Sequence, residues 1–499
     1  MQRNYLKRLT AFCALVALFL GARADARSIV APMPESERVC ADYEVWIDDV
    51  KAPVWECRVS AIPFNRVWPG YQRSLDQTET AGFATWQTDS STTKIVVKTT
   101  KSVDALQNVV VRPSSLGITP KIDVEKKEIS FVAPGASPIV LEIGGFHNAL
   151  HLLPFPIYER PEKLDAPNLR YFAPGVHKVG RVQLNSGDEV YVDAGAVVYG
   201  GFYAENAENI KVSGPGIIDA APFERGVTNG IFKFSKCKNV LIDGIIQRDP
   251  DVWSTTLFQC DDVTIRNTKL VGLWRYNADG IDVCNSENVL VEKSFLRTFD
   301  DGLVVKGLGD AVEKPSRNLV FRENVIWCDW GRAMELGAET RAPKFENIRF
   351  ENSDIIRTTH IAMDIQHGDR AKISNVVFDN IRVEFDDEAP TPVYQDSDEQ
   401  KYDPNAVPGY CPELFVIIIQ KTFYTHDDEN GTVDGVLLKD VQVLGNRRPQ
   451  SSFTGLDAEH KVTNVRFENL KFGDQTILSA QEAGLRQNEF VEGVQFTGN

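Results

Sequence analysis

Two things are scarce in this chain of 499 residues: cysteines able to pair, and positive charge. Seven cysteines lie beyond residue 24, namely Cys40, Cys57, Cys237, Cys260, Cys284, Cys328 and Cys411. An odd number excludes a complete disulfide framework, and the absence of any Cys-x-x-Cys pair argues against a zinc site. Lys and Arg number 54 against 70 Asp and Glu, a net charge of −16. That balance argues against a nucleic-acid partner, which would call for a basic surface. It does not exclude a polyanionic substrate, because a local basic pocket can sit on an acidic protein. Beyond the first residues no apolar run reaches membrane length, so no membrane span is expected.

The start of the chain reads as a leader. Arg3, Lys7 and Arg8 precede the apolar run from Leu9 to Gly21, and Ala22-Arg23-Ala24 offers a small-x-small cleavage site. This is the pattern of a secretory signal peptide over residues 1–24, which predicts a secreted or periplasmic protein. Cleavage would remove four basic residues and no acidic one, so the mature net charge would be −20.

Hydrophobic residues at 42% and charged residues at 25% are those of a folded chain. Residues 25–165 read as short β-branched strands separated by turns, for example Lys94–Lys98, Asn108–Val111, Glu128–Val132 and Ile139–Ile143. That spacing predicts a small antiparallel sandwich. Pro154, Pro156, Pro161 and Pro167 then mark an extended linker.

From residue 166 to 499 a repeat takes over. Its core is Asn-apolar-x-apolar, as in Asn209-Ile210-Lys211-Val212, Asn239-Val240-Leu241-Ile242, Asn288-Val289-Leu290-Val291 and Asn347-Ile348-Arg349-Phe350. The first apolar position recurs at Ile210, Val240, Val263, Val289, Leu319, Ile348, Val376, Val436, Val465 and Val494, a near-regular series with one double step between Val376 and Val436. Leucine-rich repeats would need a Leu-x-x-Leu-x-Leu frame, which is missing, and propeller blades need about 40 residues. A period of this length with one short β-branched strand per copy predicts a right-handed parallel β-helix of roughly ten coils. Asn at the turn tolerates the left-handed conformation and can stack on the Asn of the next coil. The register places Ile210, Val240, Val263, Val289, Ile348, Val376 and Val465 inside. Cys237, Cys260 and Cys284 are almost evenly spaced, at close to the shortest of these steps, and read as one ladder of reduced thiols. The double step is two periods, or one period carrying an insertion; the acidic, proline-rich segment 384–413 reads as a loop over a cleft.

The densest acidic cluster lies mid-solenoid: Asn277-Ala278-Asp279-Gly280-Ile281-Asp282, and Asp300-Asp301-Gly302 in the next coil. Asp300 follows Asp279 by close to one turn, so their side chains should lie together. Neighbouring carboxylates cannot all ionise easily, and a raised pKa beside an ionised group makes an acid–base pair. On composition alone these acids read equally as solvated turn residues or as a calcium site.

The run from Trp253 to Val263, the Asn277-x-Asp279-Gly280-Ile281-Asp282 segment, Asp300-Asp301-Gly302-Leu303-Val304-Val305-Lys306-Gly307 and the earlier Gly214-Pro215-Gly216-Ile217-Ile218-Asp219 resemble the polygalacturonase family, glycoside hydrolase family 28. The two-domain layout is similar to that of family 49, the dextranases and isopullulanases. The resemblance implies a glycoside hydrolase, which the leader would make a secreted one; no metal or other cofactor is expected. Asp300 would protonate the glycosidic oxygen, and Asp279 and Asp301, both ionised, would hold and deprotonate the water. It also implies inversion at the anomeric carbon, which needs room for that water between acid and base. There are departures. The family's Gly-His-Gly is replaced by Gly331-Arg332-Ala333, its Arg-Ile-Lys is missing near Met363–Arg370, and its Thr is Ala278. These leave the sugar open.

Candidates for gripping a glycan are Asn277, Asp282, Lys306, Arg332, Trp253, Trp330, His367 and Arg370, with Trp274, Tyr276 and Trp327 nearby. The aromatic and basic stretch 63–73 reads as domain packing or a further glycan contact. Three functions fit: a polysaccharide or oligosaccharide hydrolase, which the carboxylates favour; a β-helix polysaccharide lyase using Lys306 or Arg332; and a non-catalytic glycan-binding β-helix.

Overall fold

Asparagine recurs where the chain must turn left-handed, and the coils are built on it. Asn209, Asn239, Asn288, Asn318, Asn347, Asn375 and Asn464 all have φ between 52° and 59°. Side-chain amides join them from coil to coil: Asn239 donates to Asn209 at 2.7 Å, Asn318 to Asn288 at 3.0 Å, Asn347 to Asn318 at 3.1 Å and Asn375 to Asn347 at 2.7 Å.

The computed structural model describes residues 27–66, 73–309 and 313–498. The leader expected at 1–24 and residues 67–72 of the aromatic-basic stretch lie outside them. From Leu169–Phe172 to Gln495–Thr497 one continuous sheet of 30 strands winds as a right-handed parallel β-helix. Ile210 pairs with Val240, then Val263, Val289, Leu319, Ile348, Val376, Val436 and Val465. All of these are at most 2% exposed, which is the interior stack expected from the period. The double step is one coil with an insertion, since Val376 pairs directly with Val436. Phe321, Phe350 and Phe378 continue the interior as stacked rings 4.8 and 5.0 Å apart.

The thiol ladder is shorter than expected. The register aligns Lys238 with Asp261 and Glu287, so Cys237 and Cys260 fall in line with Ser286. Ser286 Oγ accepts from the Cys260 N–H at 2.9 Å, and Cys284 instead pairs with Phe258 and Lys306. The reason is coil length: Glu287 lies further along the chain from Asp261 than Cys284 does from Cys260, by two positions. All seven cysteines among the described residues are free.

The first part of the chain forms two facing sheets. One contains Ser28–Ile29, Trp55–Val59, Glu79–Thr88, Val109–Arg112, Ile139–Ile143 and Leu150–Phe155; the other contains Tyr43–Ile47, Val50–Ala52, Thr92–Thr99, Lys121–Asp123 and Glu128–Pro134. Val45, Trp86, Ile95, Val97, Ile129 and Leu141 fill the space between them. Pairing is antiparallel apart from Leu150–Phe155 against Glu79–Thr88. The outer face of the first sheet buries Trp55, Phe83, Leu153 and Phe155 against Ile217, Ile246, Phe295 and Trp327 of the solenoid, so the two parts share an apolar core.

Segment 384–413 leaves the solenoid after Lys372–Glu384 and returns at Glu413–Ile419. Its Val393–Tyr394 pairs with Phe64–Asn65 of the sandwich, and Tyr394 packs on Trp330. A second excursion, 420–431, is pinned by Asp369, whose Oδ1 accepts the N–H groups of His426 at 2.7 Å and Asp427 at 2.9 Å.

Candidate active site

Glycine lets the two acidic coils stack. A Cβ on Gly280 would lie 2.4 Å from the carbonyl of Gly302, and one on Gly302 would lie 2.6 Å from that of Ala333. Neither contact is possible, so both positions require glycine. The backbones close up, with Gly280 N–H donating to Asp301 O and Gly302 N–H to Arg332 O, each at 2.8 Å. Ile281 pairs with Leu303 and then Met334, which puts Asp279, Asp301 and Arg332 in one column. The coil therefore closes one position later than the Asp279–Asp300 spacing: Asp279 stacks on Asp301, while Asp300 aligns with Ala278 and donates its N–H to the Ala278 carbonyl.

The column opens into a cleft of about 490 Å³ lined by Asp279, Asp300, Asp301, Glu335, Glu339, Lys306, Arg332, Arg225, Asn277, Gln366, Trp253, Phe423, Tyr424 and His426. Lys306 is its electrostatic centre. The buried ammonium lies 3.0 Å from Asp279 Oδ2, 3.1 Å from Asp282 Oδ1 and 3.9 Å from Asp301 Oδ2, with the Trp253 ring centroid 4.0 Å away. Arg332 reaches Asp364 at 3.3 Å and Asp301 at 3.9 Å, and its N–H donates to Asp301 Oδ1 at 3.1 Å.

Burial dominates the titration. It pushes Asp300 well above the usual carboxylate range, and the charges of Asp279 and Asp301 push the same way. Asp279 is also driven well up by burial, against the pull of Lys306 and contrary to the expectation that it favours its charged form. Beneath the floor, burial raises Asp282 to about 7 and Asp364 to about 7. Glu335 is pushed well up by burial and by the charge of Asp301, and its Oε2 has no protein partner. Lys306 moves in the opposite sense to a buried lysine: burial would lower it, but Asp282 and Asp279 hold it well above its ordinary value.

Of the sequence candidates, the structure brings Asp279, Asp300, Asp301, Asn277, Lys306, Arg332 and Trp253 to this one cleft. Asp282 lies just below, fully buried against Lys306. Trp330 packs on Phe299, His360 and Tyr394 instead of lining the cleft. His367 is fully buried with Nδ1 2.7 Å from Thr340 Oγ1, and Arg370 pairs with Glu313 at 3.1 Å; neither lines the cleft, because both serve the turn that carries loop 420–431. Trp327 stacks on Arg297 at the domain interface, and Tyr276 is buried with its carbonyl accepting from Arg225.

Sequence reasoning passed over Glu335, Glu339, Asp364, Arg225, Phe423, Tyr424 and His426. For two of them a signal exists. Met334-Glu335-Leu336 and Met363-Asp364-Ile365 each set an acid between inward apolar neighbours, one coil apart, and the structure pairs Glu335 with Asp364. Strand alternation turns both acids outward onto the face that carries the aspartates.

Residues 202–408 match the model of glycosyl hydrolases family 28, a stretch that holds every acid of the cleft. By sequence the chain is family 28-like. A probable polygalacturonase of Arabidopsis thaliana is 26% identical over 159 residues, 30% of this chain and 33% of the relative. A polygalacturonase of Gossypium barbadense is 26% identical over 178 residues, 32% of this chain and 40% of the relative. The chain thus spans between a third and two fifths of the length of these curated relatives. The fold is that of Dex49A from Penicillium minioluteum, with a TM-score of 0.62 and 14% identity over 94% of this chain and 96% of the other. The family 28-like stretch is thus set in a two-domain frame shared along nearly its whole length.

Proposed function

We propose that this family 28-like protein is a glycoside hydrolase that cleaves the glycosidic bonds of a polysaccharide or oligosaccharide with inversion. The observation that carries the reading is the meeting of Asp279, Asp300 and Asp301 in one cleft around Lys306. Asp300, partly open to the cleft and held protonated by burial and by its acidic neighbours, is the proton donor to the leaving oxygen. Asp301 faces both Lys306 and Arg332, which suits the charge a general base must carry, and it takes the proton of the attacking water. Asp279, bonded to Lys306, holds that water on the other side. Acid and base assistance of this kind are each typically worth about 10²–10⁴-fold.

A lyase would need Lys306 or Arg332 as a base. Lys306 is held protonated by carboxylates, and Arg332 is driven up by Glu335, Asp301 and Asp364 despite its burial, so neither can take a proton near neutral pH. The leader at residues 1–24 supports export to the periplasm or the medium, and no helix among the described residues is long and apolar enough to cross a membrane. Proton NMR of the first product decides the mechanism. Inversion gives the anomer opposite to the substrate's. A retained configuration, or an unsaturated product absorbing in the ultraviolet, overturns it.

A further inference from the structure

The cleft has far more acid than base. Asp279, Asp300, Asp301, Glu335 and Glu339 line it, and Asp282 and Asp364 lie directly under its floor. Against these seven stand Lys306, Arg332 and Arg225. The first two are committed: Lys306 to Asp279 and Asp282, Arg332 to Asp364 and Asp301. Arg225, exposed at the rim, donates to the Tyr276 carbonyl and to Asn277 Oδ1 at 2.7 Å. Even with Asp279, Asp300 and Glu335 all protonated, Asp282, Asp301, Glu339 and Asp364 remain against three cations, so no cation is left over for a ligand carboxylate. The site already takes up protons to relieve this excess, so a ligand carboxylate on the floor would add to a repulsion that water cannot screen well at depth.

The walls tell the same story. Trp253, Phe423 and Tyr424 all line the cleft, Phe423 being 60% exposed and packed on Tyr424 with centroids 4.1 Å apart. An exposed phenylalanine in a cleft offers an apolar face, and the negative face of an aromatic ring favours C–H groups and cations over anions. Asn277 and Gln366 add neutral hydrogen-bonding groups suited to hydroxyls.

Resting on the hydrolase reading above, we infer that the glycan bound in this cleft is uncharged, a neutral-sugar chain packed against its aromatic lining, with Phe423 the most exposed ring, and not a uronate polymer. The acid-rich floor excludes carboxylated sugars while the aromatic walls hold neutral rings.

The test separates charge from linkage. The Asp300→Asn protein is run in affinity electrophoresis against an α-1,4-linked galacturonan, against the same polymer with its carboxyl groups reduced, and against dextran. Retardation by at least one neutral polymer, with the dissociation constant for galacturonan at least ten-fold weaker than for its reduced form, is the expected result. The gap should narrow as salt is raised. Phe423→Ala should weaken the neutral complex several-fold. Galacturonan binding as tight as the reduced polymer, or retardation by none of the three, overturns the inference. If galacturonan binds and Arg225→Gln abolishes that, the rim arginine reads a carboxylate and the inference also fails. Catalysis is scored separately with the parent protein: neutral binding without release of reducing ends would refute the hydrolase reading and leave the ligand class standing.

Discussion

Two clusters of buried acids, built from the same residue types, behave oppositely. At the junction of the domains, Arg112 and Arg357 meet Glu142, Glu384 and Asp386, with Arg112 Nε 3.0 Å from Glu142 Oε2, Arg357 Nε 2.6 Å from Glu142 Oε1, and Arg357 3.3 Å from Asp386. Burial would raise Glu142 and Asp386, but the arginines outweigh it and hold both below the usual carboxylate range. Glu384 is left on the other side, raised by burial although Arg112 and the Ser114 N–H oppose it. In the cleft, Lys306 and Arg332 face seven carboxyl groups, and Asp279, Asp282, Asp300, Glu335 and Asp364 are all raised. Burial is common to both clusters. What differs is the number of cations per acid and whether each carboxylate meets a guanidinium fork. The cation-rich cluster is a joint; the acid-rich one, with too few cations for its carboxyls, favours bound protons that a reaction can use.

The comparison breaks most visibly at the joint. Arg357→Ala leaves Glu142 buried without its two-pronged partner and should cost about 3–5 kcal/mol in denaturant unfolding, with turnover per folded molecule unchanged. An equal loss of turnover would mean that the joint shapes the cleft.

The next effect is the sign of the pH dependence. Asp282 and Asp364 are raised to about 7, so the stability they contribute is full below about pH 4 and is lost as the pH rises through about 7. Asp364→Asn should therefore gain on the parent by on the order of 2–3 kcal/mol between pH 4 and pH 8, read from thermal melts. Glu142 is lowered, so its contribution is present above about pH 4 and lost on acidification. Glu142→Gln should accordingly look most harmful at pH 7 and least at pH 3. Parallel curves for the two variants would erase the distinction between the clusters.

The smallest effect lies away from both. Asn347 has φ 58° and bonds to Asn318 and Asn375, so Asn347→Ala loses ladder bonds and puts alanine in a left-handed turn. A cost of about 1–2 kcal/mol, the same at pH 4 and pH 8, is expected from urea unfolding.

The solenoid was legible because its interior repeats: Ile210 to Val465 stack as the Asn-apolar-x-apolar period requires, and alternation forces the rest. Register was legible only to within a residue or two. Coil length varies from turn to turn, which moved Cys284 off the thiol ladder and set Asp279 on Asp301 in place of Asp300. The gathering of the three aspartates was visible in their spacing. What the cations do was not, because a sequence does not show that Lys306 and Arg332 are spent on carboxylates. Nor does it show which insertion reaches the cleft: 384–413 turns to the sandwich, while 420–431, with no conspicuous composition, supplies Phe423 and Tyr424.

The most direct test of the central claim, that the acid excess around Lys306 is kept for catalysis, is reducing-end release by the parent and by Asp300→Asn, side by side, on the glycan that the parent cleaves. The account predicts a rate about 10²–10⁴-fold lower for the variant, with unchanged melting behaviour and retained binding, and with aryl glycosides of good leaving groups the least affected. Near-parental turnover by Asp300→Asn on the natural glycan would contradict it.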